Sequence, residues 1–199
     1  MSSYKIISEV SKFLRRTLWD GFNGDNALTQ HVPNEESIVL LNPSETVQDT
    51  QRRLSFWLYQ VQENEFLRNQ PLARVSQQDE LVAFPPLPLN LFYLLTPSTN
   101  SMEGDQMVLG RSMQIFHDNA VLLLESTEQP GTAEELHIKL CQRDLREIAE
   151  VWEALQQPYR LSVCYEVRLT RIDSMRTQLT GRIRERNADF EEKPAEVVR

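Results

Sequence analysis

The stretch from Leu161 to Thr170 alternates without a break. Leu161, Val163, Tyr165, Val167 and Leu169 take turns with Ser162, Cys164, Glu166, Arg168 and Thr170. Successive side chains of a strand point to opposite faces, so this segment predicts a strand with one buried and one polar face. Such a strand commits the chain to a sheet and to an apolar layer over one side of it. Leu136, Ile138 and Leu140, alternating with His137, Lys139 and Cys141, predict a second strand of the same kind. If the two pair, His137, Lys139, Glu166 and Arg168 meet on the polar face as cross-strand charges.

Two other runs are apolar on both faces. In the first, Leu54, Phe56 and Leu58 point one way and Trp57, Tyr59 and Val61 the other. The second, Leu89–Thr96 (LNLFYLLT), follows the stiff Pro85-Pro86-Leu87-Pro88. Strands of this composition belong in the middle of a sheet covered on both sides. If one face is open instead, Trp57 and Tyr59 are anchors for a partner. Ser37–Leu41 predicts a short strand stopped by Asn42-Pro43, residues 72–84 a loose hairpin, and Val121–Leu124 is too short to assign.

Three segments carry helical periodicity. Residues 4–18 place Ile6, Val10, Phe13, Leu14, Thr17 and Leu18 on one stripe, with Ser2 or Ser3 as cap and Gly21 and Gly24 as the stop. Residues 105–118 set Leu109, Ser112, Met113 and Phe116 on one side. Asp144 with Glu147 forms a capping box, opening a helix striped by Leu145, Ile148, Ala149, Trp152 and Leu155 before Pro158. The expected class is α+β: a mixed sheet of about five to six strands with three helices packed on it. Residues 1–170 make the domain and 171–199 a C-terminal arm, extended or flexible in isolation.

The arm differs in character. Between Arg171 and Arg186 five arginines (171, 176, 182, 184 and 186) stand against two acids, Asp173 and Glu185, and apolar residues thin out; Asp189, Glu191, Glu192 and Glu196 follow around Pro194. Arginine is the favoured interface cation, so Arg176, Arg182, Arg184 and Arg186 join Trp57 and Tyr59 as candidate partner-binding residues.

Several classes of function find no support. The six glycines never cluster into a phosphate-cradling loop, and no H-E-x-x-H or G-x-S-x-G occurs. A formal charge of −8 disfavours nucleic-acid binding. No run reaches the roughly 18 apolar residues of a membrane span, and the opening Met-Ser-Ser-Tyr-Lys is not a signal peptide, so neither membrane insertion nor export by a leader is expected. Cys141 and Cys164 make no spacing motif and are read as two buried free thiols. The chain is read as a non-enzyme without catalytic, cofactor or metal sites.

Taken in order, several segments resemble a known family. They are the helix at 4–18, Tyr59-Gln60-Val61-Gln62-Glu63-Asn64 with Arg68-Asn69 behind it, and Pro85-Pro86-Leu87-Pro88-Leu89-Asn90-Leu91-Phe92-Tyr93-Leu94-Leu95-Thr96. Leu109-Gly110 and Leu136 through Tyr159-Arg160-Leu161-Ser162-Val163-Cys164-Tyr165 follow. Together they resemble the cap, or tail-terminator, proteins of phage-tail-like contractile injection systems, in particular the conserved N-terminal domain of the extracellular-type caps. The likeness spans about residues 4–170 and leaves out the arm. It implies a structural protein that forms a homohexameric ring on the end of the inner tube and sheath distal to the baseplate. Itself, the sheath protein and the tube protein are the implied partners. Assembly would take place in the bacterial cytoplasm, with the particle later released or anchored internally. An arm such as Met175–Arg186 could add a strand to a partner's sheet or lie along an acidic surface of the sheath. The alternatives are another component of the same machine, at the baseplate or as cargo adaptor, and a small hydrolase using Glu63, Glu65, Arg68 and His117.

Overall fold

The computed structural model describes residues 4–46, 49–67, 71, 73–74, 81–125 and 133–179. Six strands form one mixed sheet: β1 (Ile38–Val39), β2 (Leu54–Glu63), β5 (Leu87–Pro97), β6 (Val121–Glu125), β7 (Ala133–Leu140) and β8 (Val163–Ile172). Their order is β1-β2-β5-β8-β7-β6. β1 runs parallel to β2, and the remaining neighbours are antiparallel. A second, three-stranded sheet holds β3 (Ala73–Arg74), β4 (Leu81–Ala83) and β9 (Thr177–Leu179) in the order β3-β4-β9. The α+β class and the mixed six-stranded sheet are as the sequence predicted. The three predicted helices are α1 (Ile6–Phe22), α4 (Met102–Asp118) and α5 (Leu145–Ala154), joined by the one-turn helices α2 (Asn26–Thr29) and α3 (Pro43–Thr46).

The two doubly apolar runs became the interior strands β2 and β5. On one face Leu91, Tyr93 and Leu95 of β5 join Phe56, Tyr165 and Val167 in the main core. Phe56 stacks on Tyr93 with ring centroids 4.4 Å apart. Over them lies α1, whose Ile6, Val10, Leu14, Leu18 and Phe22 are buried, and α4, which adds Val108, Leu109, Ile115 and Phe116. Ser11 is the one polar residue among those that α1 buries. Its hydroxyl sits 2.8 Å from the Tyr93 hydroxyl and donates to the Ile7 carbonyl, so neither group is buried unsatisfied.

Some local expectations needed correction. Gly21 does not end α1; it lies inside the helix, and a Cβ there would sit 2.5 Å from Ile115 of α4. Its missing side chain lets the two helices approach. The stop falls at Gly24, whose φ of 101° is the left-handed conformation glycine tolerates. The Lys5 side chain at the start of α1 makes no capping hydrogen bond, and Ser2 and Ser3 lie outside the described residues. The predicted strand at 37–41 shrinks to Ile38–Val39. The 72–84 hairpin is present as β3 and β4, with its turn outside the described residues.

The motif residues act largely as turn chemistry. Asn64 is buried at the end of β2; its backbone N–H donates to the Pro88 carbonyl and its side-chain oxygen accepts from Phe66 N–H. Pro88, without an N–H, falls where the β5–β8 register shifts between Leu87 and Leu89. Trp152 Nε1 donates to Ser162 Oγ, which donates in turn to the Arg160 carbonyl, and Tyr159 packs edge-on against the Trp152 ring.

Candidate functional site

The face of the sheet opposite α1 and α4 is only partly covered. α5 lies across it, started by the predicted capping box: Asp144 accepts from Glu147 N–H, and Glu147 accepts from Asp144 N–H. Of its stripe only Trp152 is buried, and Leu145 is 66% exposed, against expectation. A single helix of three turns cannot cover six strands. Between α5 and β2 a cleft of about 350 Å³ remains, floored by Trp57, Tyr59, Leu94 and Cys164 and walled by Ile148 and Val151.

Trp57 and Tyr59 reach this face together, with ring centroids 6.1 Å apart. A β-bulge makes the pairing irregular: Leu58 opposes Tyr93, but Gln60 opposes Phe92, leaving Tyr59 as the extra residue. Past the bulge the alternation reverses. Val61 opposes Leu91 and so shares its face, not the Trp57 face the sequence predicted. Tyr59 also packs on Phe92, 6.5 Å between centroids, and the Arg143 guanidinium lies over the Phe92 ring.

Cys141 and Cys164 are not two isolated thiols. Leu140 pairs with Tyr165, so Cys141 stands directly opposite Cys164, and its N–H donates to the Cys164 carbonyl over 2.8 Å. Cys164 is buried and lies 3.0 Å from the Tyr59 hydroxyl; Cys141 is half-buried. The Cys141 thiol donates to the Cys164 sulfur and holds the Cys164 pKa down to about 7, against the effect of burial and with help from Tyr59 and Arg143. The same hydrogen bond pushes Cys141 up, as does its burial. Burial raises Tyr59 as well, and its bond to Cys164 adds to that.

Of the arginine candidates only Arg176 is among the described residues, and it does not line this cleft. Arg176 stacks over the Phe84 ring, 4.5 Å from its centroid, beside the small sheet, and its carbonyl accepts from Phe84 N–H. Arg182, Arg184 and Arg186 lie outside the described residues. Strand β8 continues to Ile172, and Thr177–Leu179 then pairs with β4 of the same chain. The first part of the segment Met175–Arg186 therefore adds its strand within the chain, and residues 180–186 lie outside the described residues. The hydrolase residues are likewise scattered: His117 is on α4 beside a cleft with Phe116 and Tyr165, Glu63 ends β2, Glu65 follows it, and Arg68 is outside the described residues. The charges on β7 and β8 have the predicted register, His137 opposite Arg168 and Lys139 opposite Glu166. The contacts run along each strand instead: Arg168 pairs with Glu166, and His137 Nε2 lies 2.7 Å from Glu135 Oε1.

What sequence reasoning missed is the meeting of Tyr59, Cys141, Cys164 and Arg143. The two thiols were findable: pairing the two alternating strands in the register that opposes His137 to Arg168 also opposes Cys141 to Cys164. Tyr59 was not, because its position depends on the bulge. Among the described residues no cluster of His, Cys, Asp and Glu could hold a metal ion, and no helix is long and apolar enough to cross a membrane.

The described residues thus form an α+β core with an aromatic, half-open sheet face. The chain belongs to the Pvc16 N-terminal domain family, whose model matches residues 9–185. That is the family toward which the motifs pointed. Among solved structures it is similar to the sheath/tube terminator of an extracellular contractile injection system, PVC, in the extended state. The TM-score there is 0.64 at 17% identity, covering 100% of this chain and 67% of that one. It is also similar to the tube-terminating cap of the anti-feeding prophage, with a TM-score of 0.49 at 18% identity, covering 82% of this chain and 57% of that one. The chain thus spans about two thirds or less of each of these proteins. No curated protein matches it.

Proposed function

We propose that this chain is a structural cap: a homohexameric ring that ends the inner tube and contractile sheath at the end distal to the baseplate. The observation that carries the reading is the likeness of the whole chain to a sheath/tube terminator, together with the family match over residues 9–185. Ring closure needs two different patches on each subunit that fit one another. The edges of the six-stranded sheet offer unlike surfaces: β1 is two residues long, whereas β6 has five and presents Val121 and Leu123, 53% and 63% exposed. Trp57 and Tyr59 supply an aromatic anchor on the open face. The ring would bind sheath and tube protein, use no cofactor and carry out no reaction. It would assemble in the bacterial cytoplasm, in a particle afterwards released or held inside the cell.

The test is imaging. An N-terminal tag, gold-labelled in negative-stain micrographs of particles from the native cells, is expected at one end of sheathed rods, opposite the baseplate. Label at the baseplate end would make the chain a different part of the machine. A small soluble species without rods would reject the reading.

A further inference from the structure

We propose that Cys141 and Cys164 form a reversible redox site, closing to a cross-strand disulfide when hydrogen peroxide reaches them. Residues directly opposed in an antiparallel pair have Cα atoms about 4.5 to 5.5 Å apart, within the range a disulfide spans. Cys141 and Cys164 are so opposed, one step beyond Leu140 and Tyr165, and the Cys141 N–H donates to the Cys164 carbonyl over 2.8 Å. Cross-linking requires no rearrangement of the strands.

Access and activation are built in. Cys164 lines the cleft under α5, and Cys141 lines a second cleft of about 260 Å³ shared with Lys139, Arg143 and Glu147. Each thiol therefore faces an opening wide enough for a small oxidant. The Tyr59 hydroxyl, 3.0 Å from Cys164 Sγ, and the Arg143 guanidinium stabilise a thiolate there.

The chemistry runs in two steps. The Cys164 thiolate attacks one peroxide oxygen: an S–O bond forms, the O–O bond breaks, and the departing hydroxide takes up a proton as water. Cys141 sulfur then attacks the sulfenic sulfur: the S–S bond forms, the S–O bond breaks, and hydroxide leaves with the Cys141 proton as a second water. The two sulfurs are oxidised and the two peroxide oxygens reduced, so two thiols and one peroxide become one disulfide and two waters. A disulfide of this kind in a reducing compartment is transient and redox-sensing. It would staple β8 to the turn that carries Arg143 and the α5 capping box, fixing α5 over Trp57 and Tyr59.

The experiment uses the full chain, reduced, exposed to hydrogen peroxide and digested without reductant for mass spectrometry. The expected product is a Cys141–Cys164 peptide pair lighter by two hydrogens, reversed by dithiothreitol, and formed faster in the folded chain than in guanidinium. The closed loop should raise Tm by about 5 °C. In Cys141→Ser, a half-buried position that leaves the core intact, dimedone should trap a sulfenic acid on Cys164. Sulfinic acid on Cys164 without a cross-link, a disulfide between two chains, no rate advantage in the folded state, or no dimedone adduct in the variant would each overturn the proposal. The readout is on the isolated chain and stands apart from the cap assignment.

Discussion

Tyr93 shows how one residue links layers of this fold. It stacks on Phe56 within the sheet and its hydroxyl meets Ser11 of α1. In Tyr93→Phe the stack survives and Ser11 keeps its bond to the Ile7 carbonyl, so the loss should be about 1 kcal/mol, read by urea unfolding. The same burial governs the alkaline limit. Tyr93 and Tyr165 are both pushed up to about 12 by burial. In the unfolded chain they ionise near about 10. Between those values the unfolded state has released protons that the folded state retains, so stability, intact below about 10, falls as pH climbs through about 12. Titration followed by tyrosinate absorbance and circular dichroism should show ionisation and unfolding rising together.

At the scale of elements, helix packing and helix ends set the sensitive points. A methyl group at Gly21 would collide with Ile115, so Gly21→Ala should cost about 1 to 3 kcal/mol although it replaces a poor helix former with the best one. Raised propensity with lowered Tm would be the signature of close α1–α4 packing. The end of α5 offers the opposite case. Gln156 has φ 53°, the left-handed conformation, just past the helix. Gln156→Gly should relieve about 1 kcal/mol of strain and raise Tm. Sequence periodicity located both helices to within a turn, because the stripe of α1 and the capping box of α5 are local patterns. It misread Gly21 as a terminator, because a glycine kept for a neighbour's side chain looks the same in one dimension as a glycine kept for its φ.

On the scale of the whole molecule, the return of the chain to the small sheet and the free β6 edge matter most. Truncation after Ile172 removes β9 and leaves the β4 edge it pairs with open, whereas truncation after Leu179 leaves β3-β4-β9 whole. The shorter chain should therefore lose stability, by about 1 to 3 kcal/mol for the ladder hydrogen bonds removed, and the longer should not. Leu123→Arg on the β6 edge should leave Tm within about 2 °C, since the side chain is exposed, but lower the ring population in light scattering if that edge is a subunit contact. By itself the sequence determined the α+β class, the interior position of β2 and β5, the three long helices and the family, because periodicity, caps and order of motifs are properties of neighbouring residues. Only the tertiary structure decided the face of Val61, the role of Gly21, the pairing of Thr177–Leu179 and the meeting of Tyr59 with two opposed thiols. Each of those depends on a register, a bulge or a helix crossing, and these are chosen by how distant segments fill one core.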